Sequence, residues 1–435
     1  MGAFYQLLPR KVTLPFTPQQ VLAHRTSRLR RRYANAFESL VKHPEITKKD
    51  TRVDMFVKFE KEWADEINAK TPRAIQFRSP RYTAKLSQYL MPVEKKIFGM
   101  GKDGLPASVE NRLFAKGLNS FQRAKRLQAM HRWSNTVWVL LDHSRFDANV
   151  TTEHIEWESR CYQKVLAGPL KQFKWLMRQQ LANRGRTTSG LRYTCRGKKM
   201  SGEYNTSLGD GVINAALLLS WVKGLDAEVL VDGDDSVIAI SAEEFSKLDM
   251  SYFARNGWTT KIETTTTFEE VEFCQMRPVQ IRPGNWRMVR NPWRVLNRAL
   301  CTIHRYHGEA WLGYLRAVAE CEWACNFGVP VLEEFAHYMM RHSRGHKAVT
   351  LWEYTEQRAA IEPKLKYRRM AIHPTARASM MLAWNFGLAE QRQVEAYLAN
   401  ADDAQHVQRL ITGPVGKSVR AMMPSCAYDA SLRRG

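Results

Sequence analysis

The chain has 435 residues, enough for two or three subdomains with sizeable cores, and 44% of them are apolar, which argues against wholesale disorder. Lys and Arg number 66 against 43 Asp and Glu, a formal charge of +23. A surplus this large repels itself unless a polyanion neutralises it, so nucleic acid is the first expected partner and an anionic membrane surface the second, while a basic shell-type protein also fits.

Residues 1–50 read as basic and loop-like. Their cluster of Arg25, Arg28, Arg30, Arg31 and Arg32 suits either an RNA-phosphate contact or the solvated face of a helix. No signal-peptide hydrophobic region follows Met1, and Gln6 breaks the N-myristoylation pattern. The longest apolar runs, such as Ala215 to Val222, are far too short to cross a bilayer. Residues 52–98 alternate short apolar runs with basic residues and carry Pro72, Pro80 and Pro92. Prolines at that density predict strands and loops rather than a long helix.

Residues 136–142 are apolar, β-branched or aromatic without a break and predict a buried strand ending on Asp142. Thr151-Thr152-Glu153 offers N-cap chemistry for a helix over 153–166. Residues 183–202, rich in Gly, Arg, Lys, Ser and Thr, predict a mobile or functional loop. Residues 207–222 predict an apolar helix entering a core. Residues 227–232 and 236–240 predict two strands joined at Gly233-Asp234, because Asp and Gly between apolar runs signal a tight hairpin. Beyond residue 290 the pattern is mostly helical.

If the strand ending at Asp142 lies beside that hairpin, Asp142, Asp234 and Asp235 converge at one sheet edge. Clustered carboxylates repel and raise one another's pKa unless cations neutralise them. Mg²⁺ takes oxygen ligands from a few carboxylates plus substrate phosphates, and two such ions clamp the entering and leaving oxygens of an in-line displacement. A Gly-Asp-Asp alone is more often a solvated acidic turn, so its weight comes from its company.

That company resembles a known family. Asp142-His-Ser-Arg-Phe-Asp147 resembles motif A of positive-strand RNA virus RNA-dependent RNA polymerases. Ser201-Gly-Glu-Tyr-Asn-Thr206-Ser-Leu-Gly resembles motif B, and Val231-Asp-Gly-Asp-Asp235 motif C, in the family's order and separations. Val57 to Lys61 and Pro72 to Tyr82 are similar to the basic motif F, Lys261 to the motif D lysine, and Glu272 to Gln275 with Trp286 to Pro292 to motif E. The closest flavour is the tombusvirus-like branch of the flavivirus-like supergroup, over about residues 55–292.

The resemblance implies roles. Asp142 and Asp234 are the main metal ligands and Asp235 a secondary one, for two Mg²⁺ ions that Mn²⁺ can replace. Asp147 recognises the ribose 2′-hydroxyl, the group that separates RNA from DNA. Its bland alternative is a helix N-terminal charge. Ser201, Gly202 and Thr206 form a loop and helix start beside nucleotide and template, with Asn205 nearby. Ser201 also reads as an ordinary N-cap. Lys58, Lys61, Arg73, Arg78 and Arg81 are the candidates for the triphosphate and template, against a solvated basic face. Lys261 protonates the leaving pyrophosphate, or is an edge-strand surface lysine.

One position departs from the family. Asp210 stands nine residues after Ser201, where relatives usually carry Asn. An amide donates and accepts, whereas an ionised carboxylate only accepts. If Asp210 faces Asp147, either one of them is protonated or a Lys or Arg pairs with them.

Seven scattered Cys suit a reducing compartment. Cys301, His304, His307, Cys321 and Cys325 match no closed zinc spacing, so no zinc is expected. Two other readings stand beside the polymerase. A reverse transcriptase shares the metals but usually places a bulky aromatic where Asp147 lies. A basic RNA-binding or coat protein explains the charge and leaves the ordered acidic motifs unexplained.

The expected fold is α+β, a right-hand polymerase with a ferredoxin-like antiparallel palm sheet and a helical thumb. Its fingers are 1–135 with motif F at 57–82, its palm 136–165 and 201–285, its finger insertion 166–200, and its thumb 286–435. The expected partners are a single-stranded RNA template with its nascent duplex, ribonucleoside triphosphates and a separate viral membrane-anchoring replication protein. That places the chain in the host cytoplasm at membrane-associated replication sites, with no transmembrane segment of its own.

Overall fold

The computed structural model describes residues 2–58, 71–302, 306–351 and 354–400. Chain contacts divide them into two units, one of residues 2–58, 71–116 and 130–264, the other of residues 117–129 and those from 265 onward. Both mix helices with antiparallel strand pairs, an α+β composition.

The strands of the first unit are β1 (Val53–Val57), β2 (Ala74–Phe77), β3 (Thr136–His143), β4 (Ala182–Thr187), β5 (Arg192–Arg196), β6 (Ala227–Asp232), β7 (Asp235–Ser241) and β8 (Thr260–Thr265). They form two sheets, ordered β2-β1-β4-β5 and β6-β7-β3-β8. In the second sheet β7 lies between antiparallel β6 and β3, with Ile238 opposite both Val229 and Val139. Strands covered by protein on both faces read as continuous apolar runs, which is why β6 and β7 show no alternation in the sequence. Helix Thr206–Trp221 packs against β6 and against helix Thr152–Val165. It is apolar nearly all round, as a helix enclosed by protein must be.

Three expectations fail for identifiable reasons. Residues 1–50 are largely helical, as Gly2–Leu7, Pro18–Ala23 and Ser27–Lys42. Thr17 and Gln20 close a capping box over Pro18, and Ser27–Lys42 buries Tyr33, Ala36 and Phe37 on one stripe among its charges. Arg30, Arg31 and Arg32 lie exposed on that helix, while Arg25 stacks over the Tyr33 ring at 4.5 Å. Residues 80–98, expected as strand and loop, form one 19-residue helix. Pro80 occupies its first turn, where no N–H is needed, and the Ser79 hydroxyl caps Tyr82 N at 3.1 Å. Pro92 lies inside the helix and cannot donate to the Gln88 carbonyl, and Phe16 N donates there instead at 2.7 Å. The loop expected over 183–202 instead holds most of the β4–β5 hairpin, in which Ala182 pairs with Arg196 and Arg186 with Arg192.

The second unit contains the hairpin of β9 (Met276–Arg282) and β10 (Asn285–Arg290), turning at Gly284 with φ +73°. Helices Glu309–Asn326 and Leu332–His342 pack on each other around Trp311, Tyr314, Trp323 and Phe335. Arg287 is wholly enclosed in this core. It donates to Phe327 O at 2.9 Å and Ala324 O at 3.1 Å, pairs with Glu362, and lies over the Phe121 and Phe327 rings. No described helix is long and apolar enough to cross a membrane. Removing one partner of a buried pair strands the other charge, so Arg287→Ala should destabilise the protein by about 3–5 kcal/mol, read by urea unfolding. Arg287→Ala combined with Glu362→Gln should recover part of that loss.

Candidate active site

The antiparallel register builds the site. Leu141 on β3 lies opposite Ser236 on β7, which carries Asp142 to the level of Asp235. Asp232 and Asp235 pair across the two-residue turn Gly233-Asp234, and Gly233 has φ +70°, which glycine adopts without strain. The three predicted carboxylates of Asp142, Asp234 and Asp235 therefore share one sheet end, all on exposed residues.

Their charges act on one another. Asp234 opens to solvent at the turn tip, yet protein atoms crowd its carboxyl, and that crowding pushes its pKa up. The charges of Asp142 and Asp232 push the same way, and Arg73 opposes them. Among the described residues no three His, Cys, Asp or Glu side chains gather closely enough to hold a metal unaided. Two mutually repelling, solvent-open carboxylates do fit a hard cation that keeps waters and takes further ligands from substrate phosphates.

Behind the carboxylates runs a polar relay that the sequence analysis missed. Asn214 Nδ2 donates to the carbonyls of Gly233 at 3.1 Å and Asp234 at 2.9 Å. Its Oδ1 meets His143 Nε2 at 3.3 Å, and His143 Nδ1 meets Thr260 Oγ1 at 2.8 Å. Burial lowers the His143 pKa to about 4, so the ring is neutral. An Asn in an apolar helix, eight residues after Thr206, was the available signal.

The second acidic pair forms one turn away. Arg145 takes a left-handed conformation at φ 50° and ψ 52°, reversing the chain into the short helix Phe146–Asn149. Asp147 then comes close enough to Asp210 for their charges to act on each other, and each keeps a buried Oδ1 with no hydrogen-bond partner. Two like charges enclosed side by side favour a proton on the pair over double ionisation. Burial, chiefly, raises Asp147 to about 6 and Asp210 well above the carboxylate range, with the charge of Asp234 adding and Lys199 opposing. Of the two alternatives expected for Asp210, the raised pKa favours a proton, while Lys199 lies near enough to oppose it and forms its ion pair with Glu158.

Lys199 is buried and ion-paired with Glu158, which also accepts from Tyr162 Oη and Asn205 Nδ2, each at 2.6 Å. At Gly209 a Cβ would lie 2.4 Å from both Glu158 Oε1 and Lys199 Nζ, so a larger residue must push these paired chain ends aside. Asn205, expected near the nucleotide, is fully buried in this network with its Oδ1 accepting from Gln180 Nε2 at 2.9 Å.

The Ser201-Gly202 turn lies on the backbone of β2. Ser201 Oγ donates to Ala74 O at 2.7 Å and Gly202 N to Gln76 O at 2.8 Å. A Cβ on Gly202 would sit 2.6 Å from Gln76 O, so close approach is what requires glycine there. Thr206 Oγ1 donates back to Met200 O at 2.9 Å.

Of the basic candidates, Arg73 acts on Asp234, and Lys58 N donates to Arg73 O at 2.8 Å, placing the two residues at one end of the β1–β2 pair. Arg78 is corrected. It is 2% exposed and donates to Glu203, Thr51 O, Asn183 Oδ1 and Gln179 O, so its guanidinium holds the motif B turn rather than a phosphate. Arg81 is likewise engaged by Ser39 Oγ, His43 O and Glu45 O, each at 2.7 Å, and by Asp50. Both arginines flank the start of helix Pro80–Phe98, where side chains turn into the protein. Lys261 is exposed on β8 and pairs with Glu263 at 2.6 Å. Lys61 and His304 lie outside the described residues.

Residues 3–404 match the family model described as viral RNA dependent RNA polymerase. The chain is 31% identical over 391 residues to the RNA-directed RNA polymerase of Tobacco necrosis virus (strain A), covering 87% of this chain and 53% of that protein. It is 30% identical over 424 residues to the RNA-directed RNA polymerase of Oat chlorotic stunt virus (isolate United Kingdom), covering 91% and 55%. With the RNA-directed RNA polymerase of Maize chlorotic mottle virus (isolate United States/Kansas/1987) it shares 29% over 395 residues, covering 88% and 40%. The chain thus spans about half the length of these curated relatives.

The Asp147–Asp210 proton links stability to pH. A carboxyl whose folded pKa is raised binds its proton more tightly in the folded state. Its contribution is full below the unfolded pKa and lost as pH rises through the folded value, about 6 for Asp147. Asp210→Asn supplies a donor that never ionises. Thermal unfolding across that window should show wild type losing stability as pH rises and Asp210→Asn staying flatter, with the variant more stable at neutral pH.

Proposed function

The chain belongs to the viral RNA-dependent RNA polymerases, and from that premise we propose that it carries out template-directed RNA synthesis, joining ribonucleoside triphosphates to an RNA 3′-hydroxyl with release of pyrophosphate. The observation that carries this reading is the convergence of Asp142, Asp234 and Asp235 at one sheet end, with their charges acting on one another.

In this reading Asp142 and Asp234 hold divalent cations, Mg²⁺ or Mn²⁺, and Asp235 assists. Bound there, the cations activate the attacking hydroxyl and neutralise charge building on the leaving pyrophosphate. Arg73 and Lys58 draw the triphosphate toward the carboxylates. Lys261, exposed on β8 and paired with the exposed Glu263, supplies the proton to pyrophosphate. Ser201, Gly202 and Thr206 shape the turn against which nucleotide and template lie.

Asp147 and Asp210 face the ribose as a mixed pair. The ionised member accepts from the 2′-hydroxyl, and the protonated member gives the pair the donor that an amide provides in relatives. The right-hand division proposed from the sequence, palm 136–165 and 201–285 between fingers and thumb, belongs to the same reading. So does a separate viral protein that tethers the chain to membranes of the host cytoplasm. The RNA itself is gripped through backbone and shape, since a replicase copies every sequence.

The test is incorporation of labelled ribonucleotides on a single-stranded RNA template with Mg²⁺ or Mn²⁺, with deoxynucleotides in parallel. Wild type should give template-length product with ribonucleotides preferred. Asp234→Ala should lose on the order of 1,000-fold or more, the scale set by several kcal/mol of lost charge stabilisation. Equal product from the variant would remove Asp234 from the chemistry.

A further inference from the structure

Two like charges at a sheet end drift apart unless something fixes the backbone beneath them. The turn Gly233-Asp234 directs two carbonyls into the protein, and a buried carbonyl without a donor is costly. One amide serves both, because Asn214 Nδ2 reaches Gly233 O and Asp234 O. Asn214 is 0% exposed in a mostly apolar helix, where a leucine of similar size would fill the space without the polar cost.

The amide spends both hydrogens on the two turn carbonyls, so its Oδ1 turns to His143 Nε2 at 3.3 Å and accepts from the N–H there. His143 Nδ1 faces the Thr260 hydroxyl at 2.8 Å, which ties the ring to β8. His143 directly follows Asp142 on β3, so the relay joins the backbone at Asp142 to the backbone at Asp234. The Asn214 side chain is an uncharged amide, so it adds no third charge beside the carboxylates.

We infer that Asn214 is a positioning residue for the cation site: by holding the Gly233 and Asp234 carbonyls, and through His143 the strand at Asp142, it keeps the two carboxylates presented to one cation. This rests on the metal reading proposed above and adds to it a residue that touches neither cation nor substrate. Groups behind metal ligands that set ligand orientation typically change metal affinity by about 10–100-fold when lost.

The experiment measures binding of Mn²⁺ alone to the full chain, without RNA or nucleotide, from the electron paramagnetic resonance signal of free Mn²⁺. Wild type is compared with Asn214→Leu, Asn214→Gln, Thr260→Val, Asp234→Asn and a distant core variant, Leu176→Ala, each with its thermal midpoint. Asn214→Leu should weaken Mn²⁺ binding by about 10–100-fold. Asn214→Gln, which keeps a donor on a longer arm, should fall between it and wild type, and Thr260→Val should move the same way by less. Leu176→Ala should bind Mn²⁺ as wild type does despite a lowered midpoint.

Wild-type affinity in Asn214→Leu overturns the inference, and so does a loss that Leu176→Ala matches. If Asn214→Leu does not fold, Asn214→Gln and Thr260→Val decide in the same way. If Asp234→Asn leaves Mn²⁺ binding untouched, the metal reading itself fails and this inference falls with it. If Asp234→Asn weakens binding and the Asn214 variants do not, only the positioning role fails.

Discussion

Repulsion between carboxylates is the constraint around which the first unit is arranged. Asp142, Asp232, Asp234 and Asp235 reach one sheet end because β3, β7 and β6 pair in a fixed antiparallel register. A slip of one residue would turn every side chain of a strand to the other face, and the apolar packing of Trp138, Val139, Ile238 and Val229 forbids it. Hydrophobic burial thus supplies the free energy that keeps like charges together. The cost appears locally in the raised pKa of Asp234, to which burial contributes most and the charges of Asp142 and Asp232 add.

The cationic surplus has two distinct uses. Exposed residues such as Arg30, Arg31 and Arg32 give the protein an electrostatic surface suited to a polyanion. Lys199, Arg78 and Arg287 work inside, each enclosed and each paired with a carboxylate, Glu158, Glu203 and Glu362 respectively. Buried pairs of this kind add little net stability over an apolar core, but loss of one partner is severe. They specify geometry. Arg78 fixes the turn carrying Ser201 and Gly202, and Lys199 moderates the Asp147–Asp210 pair.

What the sequence revealed follows the strength of the local signal. The strands at 136–142, 227–232 and 236–240, the hairpin turn and the helix at 207–222 were legible because burial forces unbroken apolar runs and the turn demands glycine. The helix Pro80–Phe98 was not, because Phe16, far away in the chain, supplies the donor that makes Pro92 tolerable. The convergence of Asp142 with Asp234 and Asp235 could be anticipated from strand adjacency. The assignments of Arg78 and Arg81 could not, since charge says nothing about which way a guanidinium turns. Asn214 left only one polar letter in a mostly apolar run as its signal, and its link to His143 left none: a hydrogen-bond relay across β8, β3, a helix and a turn has no spacing in one dimension.

Gly209 has a consequence for how such a protein can change over generations. A Cβ there collides with both Glu158 and Lys199. A larger residue must push those chain ends aside, and neither charge can leave alone without stranding the other in a closed interior. The three positions are therefore coupled, and what a change at one of them costs is set by the residues at the other two.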